Sequence, residues 1–529
     1  MAQTTISEAR EMKTGKIVNV RGRVTAAKEL GDLSFIQDRT GGIALYGVLG
    51  LSLNDSISAT GKLAKFNGMI EVVVDSIKIL STDLPPVVPE IVRSLNDHEG
   101  ELVKLENIHM ELPGLFFYPQ RAGMIIRESD TIQYWIDEDT DIPGYTIPET
   151  SNITGIFGRF GNTLQLLPRS HLDIDRAIIE QPPASNHYFR VMNWNVEFLG
   201  AQRYGPSNDT LQVSNVARVL NKTQPDIVAL QEVSDDEAFR SLIDRLPGYD
   251  GRCSSRYSYS FDPSGDFPPQ KLCFVYKTST VKVTREKILF RKEFDEHLSD
   301  MFSGGRLPYL LEVDVGERHL LLINLHGKSG AGEADYIRRA SDASILKDSI
   351  DRFYSDKLFI LLGDLNDDVD QSIVIGNESP YEAFVSDYHC ISKTLGDAHW
   401  HSTLSYDDMI DHQVISSTLN DHHVSTRIVN TFSLIPLYGK TTSDHLPVIS
   451  EFDFSRIVTG IDDKQLAVFP NPTTDLLWFD PGPDITVINS VGEIVLKKQG
   501  AHPPISLGEY APGLYSVVLG HEVFRIVRN

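Results

Sequence analysis

The chain has 529 residues, with 49 Lys and Arg against 73 Asp and Glu, and a formal net charge of −24. That length predicts three or four domains. The charge argues against non-specific attraction of the whole chain to nucleic acid or anionic lipid. No run of about 18 apolar residues occurs, so no membrane-spanning helix and no stable membrane insertion are expected. The cysteines Cys253, Cys273 and Cys390 are neither a disulfide framework nor a zinc site. Cys253 and Cys273 flank a polar loop and could pair, but the run KLCFVY around Cys273 is where cysteine is usually a small core residue. The opening MAQTTISEAR has no basic segment and no apolar segment of the kind that makes a signal peptide.

Breaks at Leu84–Glu90 (LPPVVPE), Glu180–Asn186 (EQPPASN) and Thr459–Gln465 (TGIDDKQ) divide the chain into blocks 1–82, 83–182, 186–456 and 463–529. In the first, Val18, Val20, Gly22 and Val24 alternate with polar residues as in a half-buried strand. LSFIQDRTGGIALYG then reads as a hairpin turning on Gly41-Gly42, and further strands follow at Ser56–Leu63 and Met69–Val74. Five short strands in one small block suggest a barrel. The pattern resembles the oligonucleotide/oligosaccharide-binding (OB) fold found ahead of some bacterial extracellular nucleases. Through residue 82 there are ten Lys and Arg against eight Asp and Glu, so this is the least acidic part of the chain. It is read either as a nucleic-acid contact or as a spacer whose Phe35, Tyr46 and Phe66 are core residues. The second block is also strand-rich, and its EGELVKLENI resembles the opening of a second such OB-like barrel.

The third block alternates strand and helix. Strands are expected at YFRVMNW, DIVALQE, KLCFVY, PYLLEVDV, HLLLINL, LFILL, MIDHQVIS and LPVISEF. Helical spacing recurs at Val213, Val216, Ala217 and Leu220, at Phe239, Leu242, Ile243 and Leu246, and over about Glu333–Phe353. This is an α/β layered domain with a substantial core. Polar residues close its strands: Asn195 after VMNW, Glu232 in LQE, His326 in NLH, Asp364 and Asn366 in GDLN, Asp411 in IDH, and Asp444 and His445 in SDHLP. Strand ends of layered α/β folds present side chains at one rim. Carboxylates and amides suit Mg²⁺ or Mn²⁺, with Ca²⁺ also possible, and a histidine held by a carboxylate suits proton transfer. Hydrolysis of a phosphodiester needs those parts: a cation on the oxygens, a base for water and help for the leaving alkoxide.

The succession WN, LQE, NLH, GDLN, IDH and SDHLP resembles the endonuclease/exonuclease/phosphatase superfamily, which implies a four-layered α/β sandwich and metal-dependent phosphoester hydrolysis. The resemblance implies a metal role for Glu232, Asn195 and Asp444. It implies that Asp364 and Asn366 orient water and phosphate, that His445 is catalytic with Asp411 orienting it, and that His326 is a second catalytic histidine. Arg306, in GGRLPYLLEV, stands where some members hold a phosphate-contacting arginine. Two departures are NVEFL in place of NVENL and the glycine at Gly327. Tyr257, Tyr259, Phe261 and Phe267 do not form a convincing membrane-attacking hairpin. A nuclease acting on DNA or RNA is expected. A phospholipid or small-molecule phosphoesterase is the alternative, and a non-catalytic surface binding protein a further one.

The fourth block reads as a small β-sandwich. FPNPTTD, VGEIV and PGLYSV resemble the C-terminal sorting domain of the type IX secretion system. That resemblance implies an extracellular or cell-surface protein that engages the type IX machinery. It sets up a conflict with the opening, resolved by the expectation that a signal peptide precedes a mature start near Ala2-Gln3.

Overall fold

The computed structural model describes residues 3–48, 50–93, 98–127, 130–179, 188–201, 203–258, 268–297, 301–455, 473, 475–477, 484–500, 504–519 and 522–528. The linkers expected at 180–186 and 459–465, most of FPNPTTD, and Tyr259, Phe261 and Phe267 lie outside these residues. The chain divides into two compact units, Met1–Arg456 and Ile457–Asn529. The first three sequence blocks share the first unit.

Strands β1 (Ile17–Ala26), β2 (Leu33–Gln37), β3 (Gly42–Tyr46), β4 (Ser56–Phe66) and β5 (Met69–Ser81) close a barrel in the order β1-β2-β3-β5-β4. The β2–β3 turn is tied by Asp38, whose Oδ1 accepts the Thr40 and Gly41 N–H groups at 2.7 and 3.1 Å. After a short β6 (Glu90–Ile91) come β7 (Leu102–Met110), β8 (Arg121–Arg127), β9 (Asp130–Ile136), β10 (Thr150–Phe160) and β11 (Thr163–Leu167). Their order is β10-β11-β9-β8-β7, and β10 pairs back onto β7. Both rings therefore run first-second-third-fifth-fourth, each with one parallel pair, β3–β5 and β9–β11. Closure removes the exposed edges that open sheets carry. Of the three aromatics that the spacer reading puts in the core of the first barrel, only Phe35 is buried. Tyr46 and Phe66 are 46% and 59% exposed. Both end their strands, where the pleat carries a side chain past the barrel wall. The two barrels share an apolar cluster joining Ala26, Leu30, Phe35, Ala44 and Met69 to Leu102 and Ile156.

The rest of the unit contains β12 (Phe189–Leu199), β13 (Ile227–Val233), β14 (Tyr249–Cys253), β15 (Lys271–Lys277), β16 (Lys282–Ile288), β17 (Tyr309–Val315), β18 (Arg318–His326), β19 (Leu358–Asp364), β20 (His389–Cys390), β21 (Asp411–Ile415), β22 (His423–Ile428) and β23 (Val448–Phe452). They form two six-stranded sheets, β14-β15-β13-β12-β23-β22 and β16-β17-β18-β19-β21-β20. Val191, Ile227 and Phe274 of one sheet meet Leu311, Leu322, Ile360 and Ile415 of the other in one core. Helix Asp209–Thr223, capped by Asn208, lays Val213, Val216, Ala217 and Leu220 on the outer face of the first sheet. Helix Glu333–Phe353 covers the second with Ala343, Leu346 and Ile350. The result is the expected α/β/β/α sandwich.

Two polar bridges cross the apolar interface below the rim. Gln231 Nε2 donates to Asn324 Oδ1 at 2.7 Å, and Gln413 Nε2 donates to Asn193 Oδ1 at 2.9 Å. Buried amides are costly unless paired, so these bonds tie one sheet to the other in a single register.

Cys253 and Cys273 face each other across β14 and β15 and form a disulfide. Cys273 is thus a cross-link inside the core, which burial by itself did not reveal. With a sequence separation of 20, chain-entropy arguments give about 3 kcal/mol of stabilisation. Thermal unfolding with and without a reductant, both under denaturing-compatible buffer, is expected to show a lower midpoint in the reduced protein.

The described residues of the second unit form two sheets, Leu476–Leu477 with Ile505–Ser506, and a four-stranded sheet from Ile485–Ile488, Ile494–Lys498, Gly513–Leu519 and Glu522–Arg528. Leu477, Val487, Ile505, Tyr515, Val517 and Ile526 share their core.

Candidate active site

The site forms where the central strands of both sheets end. In the second sheet His326, Asp364 and Asp411 are register partners on β18, β19 and β21, so three adjacent strands deliver three polar groups at one level. Gly363 makes the approach possible. A Cβ there would lie 2.0 Å from the Leu325 carbonyl oxygen, and its φ is 145°. Gly327 has an equally specific cause, since a Cβ would come within 2.3 Å of the Leu365 carbonyl oxygen. In the first sheet β12 and β13 supply Asn195 and Glu232, and the turn before β23 supplies Asp444 and His445.

These groups meet. Asn195 Nδ2 donates to Asp364 Oδ2 at 3.0 Å across the sheet interface. His326 Nε2 lies 3.3 Å from Asp364 Oδ2 and 3.7 Å from Glu232 Oε1. His445 Nδ1 bonds Asp411 Oδ2 at 2.7 Å, and its Nε2 points to Asp364 Oδ2 at 3.8 Å and Asp444 Oδ1 at 4.0 Å. Asn366 sits in left-handed backbone, with its N–H on Asp364 Oδ1 at 2.9 Å and its Nδ2 on the Gly327 carbonyl at 3.3 Å. All eight residues expected to form the cleft are in one place.

Arg306 follows a left-handed turn through Phe302, Ser303 and Gly304. Its Nη1 lies 3.0 and 2.6 Å from the two ring nitrogens of His326, and its Nη2 donates to the Gly327 carbonyl at 2.8 Å. It therefore holds the histidine. It also lines a small recess with Arg256, Lys271 and His326.

The sequence reading missed Glu197. β12 does not run straight past Asn195: Glu197 and Phe198 have φ of 47° and 51°, a conformation that costs non-glycine residues about 1–2 kcal/mol each. The kink turns Glu197 into the cleft. Its N–H donates to Asn195 Oδ1 at 3.0 Å, and its Oε2 accepts the Asp444 N–H at 2.9 Å. Its only sequence signal was an acidic residue two positions after Asn195.

Charge explains what the cleft holds. Burial, followed by the Asp444 charge, raises Glu232 to about 7. Burial, then Asp444 and Glu232, raises Glu197 to about 8. Acids that force one another toward the neutral form would be relieved by a cation. Glu197, Glu232 and Asp444, with the Asn195 amide beside them, fit a hard divalent metal. Among the described residues of the cleft, the three groups whose ligand atoms all lie within 4.8 Å of one another are Asp364, Asp411 and His445. There, however, the imidazole Nδ1 is already committed to Asp411, so that group reads better as a proton-transfer pair. Burial opposes charge on His445, but Asp411, Asp364 and Asp444 outweigh it and hold its pKa well above the ordinary value. Burial and Arg306 hold His326 well below it. The two histidines are thus set to opposite protonation states.

Residues 192–445 match the sequence pattern of the Endonuclease/Exonuclease/phosphatase family. That span, a little under half of the chain, is similar to this family, whose members hydrolyse phosphoester bonds. Solved structures similar to it include D. rerio TDP2 humanized by 14 mutations, at 17% identity over 50% of this chain and 99% of that chain, with a TM-score of 0.38. The human Nocturnin catalytic domain with bound sulfate has 18% identity over 51% of this chain and 96% of its own, with a TM-score of 0.37. A Bacteroides thetaiotaomicron mannosyl-6-phosphatase has 18% identity over 50% of this chain and 100% of its own, with a TM-score of 0.37. No curated protein matches the chain in sequence.

Proposed function

We propose that this protein is a metal-dependent phosphodiesterase that hydrolyses DNA or RNA outside the cell. The observation that carries the reading is the Asp411–His445 pair facing Asp364, beside the cluster of Glu197, Glu232 and Asp444. Mg²⁺ or Mn²⁺ held by those three carboxylates and Asn195 would draw charge off the non-bridging phosphate oxygens. Asp364, oriented by Asn195 and by the Asn366 backbone, and His445, anchored by Asp411, carry proton transfer between water and the leaving oxygen. Neutral His326 accepts from Arg306, and its Nε2 is the ring atom that faces Asp364 and Glu232. Arg306 in turn faces substrate phosphate in the recess with Arg256 and Lys271.

Nucleic acid is favoured over other phosphoesters by the first barrel. It is the least acidic block, and it presents Tyr46 and Phe66 to solvent. Exposed aromatics on a barrel are stacking platforms for single-stranded bases. Export rests on the type IX resemblance of the last block, and secretion of the full precursor from a type IX-competent host tests it. The substrate is tested by incubating the full chain with plasmid DNA, RNA and sphingomyelin, each with Mg²⁺, Mn²⁺, Ca²⁺ or chelator. Cleavage of sphingomyelin alone would move the protein to the lipid reading.

Removing residues 1–82 is a poor test of the barrel, because it would strip the cluster shared with Leu102 and Ile156. Tyr46→Ala with Phe66→Ala is the better probe. A stacked base is worth about 1–3 kcal/mol, so single-strand affinity is expected to fall at least about fivefold. Hydrolysis of a small phosphodiester is expected to stay unchanged. Equal affinity of wild type and variant over a salt series would make the barrel a spacer.

A further inference from the structure

The second barrel touches the loops that carry the catalytic groups. Tyr118 is buried, and its hydroxyl donates to the His401 carbonyl at 2.8 Å and accepts the His401 N–H at 3.3 Å. Arg121 Nη2 donates to the Tyr406 carbonyl at 2.6 Å, and Nη1 pairs with Asp407. Phe116 packs edge-on against Trp400 with ring centroids 4.8 Å apart. Asn430 Nδ2 donates to the Gly144 carbonyl at 2.7 Å, and Lys440 pairs with Glu138 at 2.8 Å. The barrel thus holds segments 400–407, 430 and 440 from outside.

The other side of the same loop holds the chemistry. One residue after His401, Ser402 Oγ accepts the N–H groups of Ile410 and Asp411 at 3.0 and 3.1 Å. The Ser402 carbonyl accepts the Leu446 N–H at 2.8 Å, and the Asp444 carbonyl accepts the Leu404 N–H at 2.8 Å. Thr403 bridges His445. A single loop therefore links the barrel at His401 and Tyr406 to Asp411, Asp444 and His445. A cavity of about 250 Å³ lies behind it, lined by Tyr118, Arg121, Tyr134, His399 and His401. Trp400 and Leu404 pack the loop onto the apolar core, and the hydrogen bonds of Tyr118 and Arg121 fix its backbone at His401 and Tyr406.

We propose that the second barrel is a built-in positioning element of the active site, with Tyr118 and Arg121 as positioning residues that set the Asp411–His445 pair through the 400–408 loop. This rests on the reading of that pair as the proton-transfer groups. Misplacing reacting groups by about 1 Å costs up to about 10²-fold in rate. No substrate contact is involved, so the loss belongs in kcat.

The test uses the full chain and bis(p-nitrophenyl) phosphate with Mn²⁺. Tyr118→Phe keeps the ring in its core and removes only the hydroxyl, and Arg121→Ala removes the second hold. The double variant is expected to lose about 10- to 100-fold in kcat, with KM and melting temperature close to wild type. Arg121→Lys, which keeps the charge facing Asp407, is expected to recover part of the loss relative to Arg121→Ala. Unchanged kcat in the folded double variant would overturn the proposal, as would a loss confined to KM. His445→Ala is the control. If that variant stays active, the catalytic reading fails; if it is inactive while the double variant is not, only the positioning role fails.

Discussion

Replacing His445 by alanine is expected to lower kcat for a small phosphodiester by about 10²–10⁴-fold while leaving the fold intact. The ring is buried at the strand rim, and its one strong bond is to Asp411. Removing it takes away the group that Asp411 and Asp364 hold in the protonated state, and no second histidine replaces it. His326 also approaches Asp364, at 3.3 Å, but burial and Arg306 hold its pKa well below the ordinary value. Glu232→Ala and Asp364→Ala are expected to be inactive for different reasons, the first by losing a cation ligand and the second by losing the carboxylate that accepts from Asn195 and faces both histidines. Circular dichroism and single-turnover kinetics on each variant check this. A folded variant at wild-type rate removes that residue from the mechanism.

The second large effect is on stability. Arg339 and Asp367 form an ion pair with both side chains fully buried. Arg339 Nε donates to Asp367 Oδ2 at 2.8 Å, and its Nη1 donates to the Lys328 and Gly330 carbonyls at 2.7 and 3.1 Å. Asp367 Oδ1 accepts the Ile373 N–H at 2.7 Å. The pair therefore clamps the loop after His326 to the loop after Asn366. Asp367→Ala leaves a buried guanidinium uncompensated, which costs about 3–5 kcal/mol. The melting temperature is expected to fall on the order of 10 °C in calorimetry. A shift within about 0.5 kcal/mol, the range of ordinary surface substitutions, would show that the pair does not hold those loops.

The expected cleft residues could be read from sequence because each lies at or beside one end of a strand, and strand ends of a layered fold share a rim. The order of the motifs then selected one superfamily. Glu197 escaped because its placement depends on a left-handed kink at Glu197 and Phe198, which neither residue type announces. The disulfide escaped because Cys273 reads as core from its neighbours, and only strand pairing shows Cys253 opposite it. Tyr46 and Phe66 read as core because aromatics in a small barrel usually fill it, and their position at strand ends decides otherwise. The bonds from Tyr118 and Arg121 to 401 and 406 join residues more than 280 positions apart, beyond any local pattern.

The most direct measurement is hydrolysis of bis(p-nitrophenyl) phosphate by the full chain, before dialysis against chelator, after it, and after adding back Mg²⁺ or Mn²⁺. Hydrolysis that disappears with the chelator, returns with the metal, and needs a higher metal concentration in Glu232→Gln and Glu197→Gln is the predicted result. Undiminished hydrolysis in chelator, or no phosphodiester hydrolysis with any divalent cation, would contradict it.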